Sequence, residues 1–282
     1  MNASSTLARP DETAPGRLPG AVRIGLSRTG IELREFTRER ASMVFTFAFP
    51  VILLFIFGSV FSGQEVAPGV DFTQYFTAGM IASGVVLSSF QSLAIGIAIE
   101  RDDGTLKRLR GTPMPPVAYF LGKIGLVLVS SVVQAAILLG IGTALFGLDL
   151  PGTAALWARF AWIFLLGSTA GTVLGIAYSS VPRSARSAGA VVSPVVLVLQ
   201  FISGIFFVLD QLPTWMVDLG SLFPLRWLAQ GMRSVFLPAS FEQAEVGGSW
   251  MLGPTAAVLA AWTVIGLLLC LRTFRWTRSG DH

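Results

Sequence analysis

Apolar and polar residues alternate on a long scale along this chain: six long apolar runs are separated by shorter polar stretches. The runs at 43–61, 75–99, 122–146, 159–180, 188–209 and 254–271 approach the ~20 residues that carry a helix across ~30 Å of hydrocarbon. They predict an all-α membrane protein with six transmembrane helices in one domain spanning residues 43–272. Ahead of them, residues 21–42 follow a helical period. Val22, Leu26, Leu33 and Phe36 fall near one face, and Arg28, Glu32, Arg34, Glu35, Arg38 and Glu39 cover the rest. This predicts an amphipathic interfacial helix, its apolar stripe in the headgroup boundary and its charges in water. Such a helix serves as an anchor, as a docking surface for a cytosolic partner, or as both.

Residues 1–20 are rich in Pro, Ala, Ser and Thr, lack a periodic pattern and predict a disordered tail. No apolar run follows the first basic residues closely enough for a signal peptide. A second tail is expected at 273–282. Between the fifth and sixth runs, the segments 212–217 and 222–228 are apolar, too short to span, and broken by Pro213 and Pro224. Trp215, Trp227 and Trp250 suit a membrane interface, where an indole is half buried and still donates a hydrogen bond. The stretch, which also holds Arg233, predicts two short re-entrant or interfacial helices on the outer side, forming either a lid over a pathway or a cap on the bundle.

Composition agrees with the pattern: 53% of residues are hydrophobic and 13% charged, against ~25% charged in soluble domains. Charge adds orientation. With both termini in the cytoplasm, the bases at 9–40, 101–123, 183–186 and 272–278 all lie inside, and only Arg159, Arg226 and Arg233 lie outside. That bias is the positive-inside rule, and it predicts a multi-pass protein of the plasma membrane. The net charge of +4 does not point to nucleic acid, because the bases cluster at membrane edges. The single cysteine, Cys270, has no partner for a disulfide and reads as a small filler of the sixth run. The only histidine, His282, falls in the tail.

Candidate chemistry is sparse inside the spans. None carries an ionisable residue in its middle, which disfavours proton pumps, ion-coupled carriers and voltage sensors. Intramembrane hydrolysis would need a general base or metal ligands at depth, so no metal site is expected. No Gly-x-x-x-x-Gly-Lys-Ser/Thr loop is present, so the chain is expected not to be an enzyme hydrolysing ATP by that route. Work must come from another polypeptide, or none is done. Small residues recur every fourth position at Gly84, Ser88, Ser92 and Gly96, and again at Gly167, Gly171, Gly175 and Ser179. Such ridges let helices pack closely, which is the favoured reading for the fourth span. In the second and fifth spans, packing and a substrate surface are equally consistent. Phe90, Gln91, Gln200, Phe201, Ser203, Phe206 and Phe207 would give an apolar surface with a few hydrogen-bonding groups, suited to hydrophobic or amphipathic cargo.

One charged island, residues 99–113, interrupts the apolar pattern. Asp102 and Asp103 precede Thr105–Arg110, and Pro113 closes the segment. Acids first and bases last complement a helix dipole. Thr105 is placed to cap, and Leu106 and Leu109 share a face. The island predicts a helix of about two turns, presenting cations to a partner; a loop that merely obeyed the orientation rule would need no such order.

From Glu100 to Pro113 the order Glu-Arg-x-x-Gly-Thr-Leu-x-x-Leu-x-x-Thr-Pro resembles the coupling-helix signature of type 2 permeases of ATP-binding-cassette exporters. The resemblance extends over residues 30–275. It includes Phe49–Pro50, Ser203–Phe207 before Leu212–Pro213, Phe223–Leu225 and Gly231–Arg233. It implies a pathway formed by two permease units, identical or paralogous, served by two copies of a separate ATPase that binds ATP and Mg, with no cofactor on this chain. Glu100, Arg101, Asp103, Gly104, Thr105, Leu106, Lys107, Arg108, Leu109, Arg110 and Pro113 would then form the ATPase-coupling element. The drug- and antibiotic-exporting branch often carries a basic island like Lys107–Arg110, which implies efflux of drug-like or lipid-like molecules. Export of polysaccharide or lipid-linked glycan, and a non-transporting scaffold or accessory role, are the alternatives.

Overall fold

The computed structural model describes residues 20–274. The expected tails at 1–19 and 275–282, with His282, lie outside the described residues. The described chain is nearly all helical. It begins with α1 (Ala21–Arg38) and α2 (Arg40–Val60). A small antiparallel hairpin of β1 (Glu65–Ala67) and β2 (Val70–Asp71) leads into α3 (Phe72–Val86). Asp71 starts α3 by accepting a hydrogen bond from Thr73 N at 2.7 Å, as an N-cap does. A single π turn, Leu87–Gln91, joins α3 to α4 (Ser92–Asp102) without a break; α5 (Thr105–Arg110), α6 (Pro116–Phe146), α7 (Ala154–Tyr178) and α8 (Ala185–Ile202) follow. Next come α9 (Thr214–Ser221), α10 (Pro224–Phe236) and α11 (Leu252–Thr273).

Six helices are long and apolar enough to cross a membrane: α2, the continuous α3–α4 unit, α6, α7, α8 and α11. They coincide with the six apolar runs, with shifted boundaries. The second starts at Phe72 and reaches Asp102, the third starts at Pro116, the fourth starts at Ala154, and the fifth runs from Ala185 to Ile202, where the chain turns. The second and third are 31 residues each, or ~46 Å at 1.5 Å per residue, against ~30 Å of hydrocarbon. Both are therefore longer than an untilted crossing needs, and Glu100–Asp102 lie on the last turn of α4 and Lys123 two turns into α6.

The α3–α4 unit is the centre of the bundle. Its apolar window is 67% buried, against 22% for α2 and for α11. A large core surrounds it, with Tyr75, Phe76, Met80, Leu138, Ile163 and Met232 among its members. The exposed apolar faces of α2, α8 and α11 are what helices facing lipid or a second membrane subunit require. The π turn has a defined seat. Gly171 of α7 lies so close that a Cβ there would stand 2.0 Å from Ser89 Oγ, so only glycine lets the bulge approach. The fourth-span ridge read from the sequence is therefore a packing surface, and what packs on it is a bulge, the kind of defect that often marks function.

On α1 the structure changes where part of the charged face lies. Val22 and Leu26 are 66% and 71% exposed, whereas Gly25, Arg28 and Glu32 are the buried residues. The reason lies in α6, which offers small Gly122 and Gly125 for close approach and a buried Lys123 for charge. Complementary charge and small size choose the face, so Arg28 and Glu32 are not in water.

Candidate functional site at the charged island

The backbone of the island is set by two residues. Asp103 Oδ1 accepts a hydrogen bond from Thr105 N at 2.8 Å, so the acid does the capping expected of Thr105. Gly104 sits at φ +78°, a left-handed conformation costly for other residues, and this turns the chain from α4 into α5. Thr112 Oγ then donates to Leu109 O at 2.7 Å, and the prolines at 113, 115 and 116 prevent α5 from continuing.

Three consecutive residues on the last turn of α4 grip three different helices. Glu100 accepts hydrogen bonds from Tyr119 Oη at 2.8 Å and from Lys123 Nζ, both on α6. Arg101 donates to Ser179 O at 2.6 Å and Ser179 Oγ at 3.0 Å, a cation placed at the carbonyl end of α7, where the helix dipole favours it. Asp102 Oδ2 accepts from Ala185 N at 3.0 Å, an anion at the amide end of α8, favoured for the same reason. Through Lys123 the tie reaches a fourth helix: its Nζ also donates to Glu32 Oε2 of α1 at 2.6 Å, and Arg28 Nε donates to Glu32 Oε1 at 2.9 Å. Lys123 and Glu32 are each 3% exposed. Burial by itself lowers the pKa of Arg28, but the charge and hydrogen bond of Glu32 outweigh it and raise the value above the ordinary arginine range. Carboxylate oxygens of Glu32, Glu35 and Glu100 come within 4.8 Å of one another. Lys123 already bonds two of the three, so it fills the role a cation would play there.

Leu106 completes the inner side of the island. It is fully buried with Leu93, Ile97, Tyr119, Val127 and Ile176, a burial worth about 1.5–3 kcal/mol. Leu109 is half buried against the same cluster. Lys107, Arg108, Arg110 and Pro113 are exposed. The element expected to present itself whole is thus two-sided. Glu100, Arg101, Asp102 and Leu106 bind the bundle, while the three bases face outward. Arg28, Glu32, Tyr119, Lys123 and Ser179 were not among the expected site residues; the Arg28–Glu32 spacing and the lone Lys123 near a glycine were the only signals for them.

The expected pathway residues divide into separate places. Gln91 and Gln200 line an apolar furrow of about 380 Å³ between α2 and α8, with Phe45, Phe49 and Pro194. Gln200 Nε2 donates to Ser83 Oγ at 2.9 Å, while its Oε1 has no partner. Gln91 and Phe45 also line a second cavity, of about 260 Å³, whose walls include Glu32, Glu35, Glu39 and Glu100. A carboxylate-rich space at the island end therefore adjoins an apolar one farther in. Phe90 faces away from both, into a furrow on the other side of the π turn. Phe206 is buried in the aromatic core beside Phe57 and Phe76, and Ser203 is buried with it. Phe201 and Phe207 are exposed and lie against each other.

At the opposite end of the bundle, Pro213, just before α9, and Trp215 on it are exposed, whereas α10 is buried from Leu225 to Phe236. Pro224 opens α10 at its first turn, and Trp227 Nε1 donates to Ser221 O at 2.8 Å. Arg233 is fully buried. Its Nε and one terminal nitrogen donate to the Glu245 carboxylate at 2.7 and 2.9 Å, and the guanidinium lies 4.8 Å from the Tyr75 ring centre. Burial lowers its pKa, but Glu245 and Tyr75 more than compensate, so the value is raised. Arg226, buried without such a carboxylate partner, has its pKa lowered, chiefly by burial. Arg233 is an internal anchor tying α10 to α3.

A six-span helical bundle with a charged, helix-bearing turn wired to four helices, α1 among them, defines a multi-pass membrane domain. Residues 29–237 match the ABC-2 type transporter family, and the chain belongs to it, as an ABC-2 permease subunit. Among curated relatives it is similar to the probable multidrug ABC transporter permease YbhR of Escherichia coli, in strain K12 and in O157:H7 alike, at 24% identity over 170 residues. That match covers 60% of this chain and 45% of the relative, so the chain spans about half the length of the curated relatives it matches.

Proposed function

We propose that this chain is the membrane subunit of an ATP-driven exporter of hydrophobic or amphipathic small molecules, powered by a separate ATP-binding-cassette ATPase. The observation that carries this reading is the two-sided island. Its exposed face, Lys107, Arg108 and Arg110, offers three cations to a partner. Its inner face holds α1, α6, α7 and α8 through Glu100, Arg101 and Asp102, so a push on α5 is delivered to four helices at once. Two such units, identical or paralogous, pair across the exposed apolar faces in the plasma membrane. The island and both termini lie on the cytoplasmic side, where α1 runs along the membrane surface with Val22 and Leu26 turned outward and α9 and α10 cap the outer end as short re-entrant helices. ATP and Mg belong to the ATPase. The carboxylate-lined cavity adjoining the apolar furrow at Gln91 supports an amphipathic cargo, and the relative named as a probable multidrug permease supports drug-like compounds among it.

The test is export of a lipophilic dye from inverted membrane vesicles containing this chain and its cognate ATPase. Arg108→Glu with Arg110→Glu, both exposed, should abolish ATP-dependent dye movement and ATPase co-purification while changing stability by no more than ~0.5 kcal/mol. Dye movement that persists at the wild-type rate in this variant, or without ATP, sinks the proposal.

A further inference from the structure

The cavity of about 260 Å³ at the island end and the apolar furrow of about 380 Å³ farther in have two lining residues in common, Phe45 and Gln91. Together they form one space that runs from α1 and α6, past α2 and the π turn, to α8. Its island end is acidic: Glu32, Glu35, Glu39 and Glu100 line it, and Lys123 is the one base among the lining residues. Lys123 is taken up by Glu32 and Glu100, and Arg28 by Glu32. Glu35 is left with the Arg28 guanidinium at 4.0 Å, and Glu39 has no ion-pair partner among the described residues. Both are exposed, so the charge in excess stands where the space meets water. Two buried polar side chains face the same cavity. Gln91 and Thr46 are 9% and 8% exposed and line it, and neither side chain has a hydrogen-bond partner among the described residues. Buried polar groups are nearly always paired, so these two point to something that occupies the space. Farther in, the rings of Phe45 and Phe49 stack at 5.2 Å, and Leu87, Pro194 and Leu197 complete the wall.

We infer that this space binds one lipophilic organic cation, its charged head among Glu35, Glu39 and Gln91 and its aromatic body against Phe45 and Phe49. Charge selects the head. Two carboxylates in excess repel an anion, a lipid phosphate included, and attract a cation. Gln91, at the junction of the two parts, offers an amide carbonyl to the same head, and Phe45 beside it offers a ring face, which also favours a cation. Shape and polarity select the body. A bare metal ion would leave the apolar furrow empty and would compete with Lys123 for Glu32 and Glu100. A neutral hydrocarbon would fill the furrow and leave Gln91, Thr46 and the two acids unmet. Only a molecule that is cationic at one end and apolar at the other answers both parts. Room for it is present on two sides, since a Cβ on Gly96 or on Gly189, which line the acidic and the apolar part, would meet nothing within 4 Å. That the bound cation is a cargo rests on the export reading; that the space binds it does not.

Tetraphenylphosphonium and tetraphenylborate, ions of one shape and opposite charge, test this by saturable binding to the full chain in mild detergent, with protein-free micelles as the blank. The wild type should bind one phosphonium per chain and prefer it over the borate by roughly tenfold or more. Glu35→Gln with Glu39→Gln should weaken phosphonium binding about tenfold and remove most of that preference, with an unchanged thermal midpoint. Gly96→Phe fills the acidic part and Gly189→Phe the apolar part; each projects into open space, and each should weaken phosphonium binding. Equal binding of the two ions by the wild type, or phosphonium binding unchanged in the folded acid variant or in both filled variants, overturns the assignment. Export from vesicles separates this from the export reading. A neutral lipophilic dye moved by ATP while phosphonium does not bind overturns the cation site alone, whereas phosphonium bound with these dependences and no dye moved keeps the site and removes the export reading.

Discussion

Lys123→Met probes the buried tie between α1, α4 and α6. Methionine keeps most of the side-chain length and apolar stem and removes only the charge. In the wild type two cations, Arg28 and Lys123, balance two carboxylates, Glu32 and Glu100, inside a space where Lys123 and Glu32 are each 3% exposed. After the change Glu32 keeps Arg28 at 2.9 Å and Glu100 keeps Tyr119 at 2.8 Å, but one negative charge is uncompensated. Breaking a buried pair from one side costs about 3–5 kcal/mol. The Glu100 side chain is 14% exposed and retains a donor, so the cost falls at the lower end, ~3 kcal/mol. Adding Glu100→Gln removes the orphaned charge, and the double variant should regain ~1–2 kcal/mol, a coupling of the size seen between residues in one network. Thermal or denaturant unfolding in detergent reads the stability. Trypsin reads the geometry: once α1 loosens, the exposed Arg34 and Arg38 should be cut faster than in the wild type. A Lys123→Met protein within ~0.5 kcal/mol of wild type, with unchanged proteolysis of α1, would show that the ion pairs do not hold the helix.

Leu106→Asp places a carboxylate in a fully buried apolar cluster and should cost ~3 kcal/mol or more. Lost transport in that variant would therefore report unfolding, which an unfolding curve detects, and not a lost partner contact. Gly104→Val forces a branched residue to φ +78°; a loss of ~1–2 kcal/mol is expected, read by denaturant midpoint. Arg233→Met leaves Glu245 buried without its partner and should destabilise by ~3–5 kcal/mol, with partial recovery on adding Glu245→Gln in the same assay. Gly171→Leu drives a side chain into Ser89. It should cost ~1–3 kcal/mol as overpacking, and lower dye export more than its stability loss alone explains.

Much of the bundle was legible in the sequence because hydrocarbon imposes a length and a composition on anything that crosses it. What periodicity could not reveal was which side of a polar helix turns inward. On α1 the charges were expected in water, yet Arg28 and Glu32 are buried beside Gly25, because the partner surface on α6 is small and cationic, and that complement is 91 residues away in the chain. The same limit applied to the island. Its order of acids, glycine, threonine and bases announced a helix and a cap, but not that Glu100, Arg101 and Asp102 reach three different helices from one turn of α4. Nor does any local signal announce that π turn, which puts Phe90 and Gln91 on opposite furrows.

These distant pairings decide how the island can work. If all its charges faced a partner, a push on α5 would be taken up by flexible side chains in water. Exposed ion pairs hold their geometry weakly, at ~0–1 kcal/mol each, and transmit little. With Leu106 packed in the core and Lys123 and Glu32 buried, moving the α4–α5 turn without α1 and α6 means breaking the charge pairs of Lys123, at several kcal/mol, and moving it without α7 and α8 means breaking the hydrogen bonds of Arg101 and Asp102. On the proposed coupling, the stiff route is therefore collective displacement of those helices, with the outward bases meeting the partner and the charges on the last turn of α4 fixing what moves.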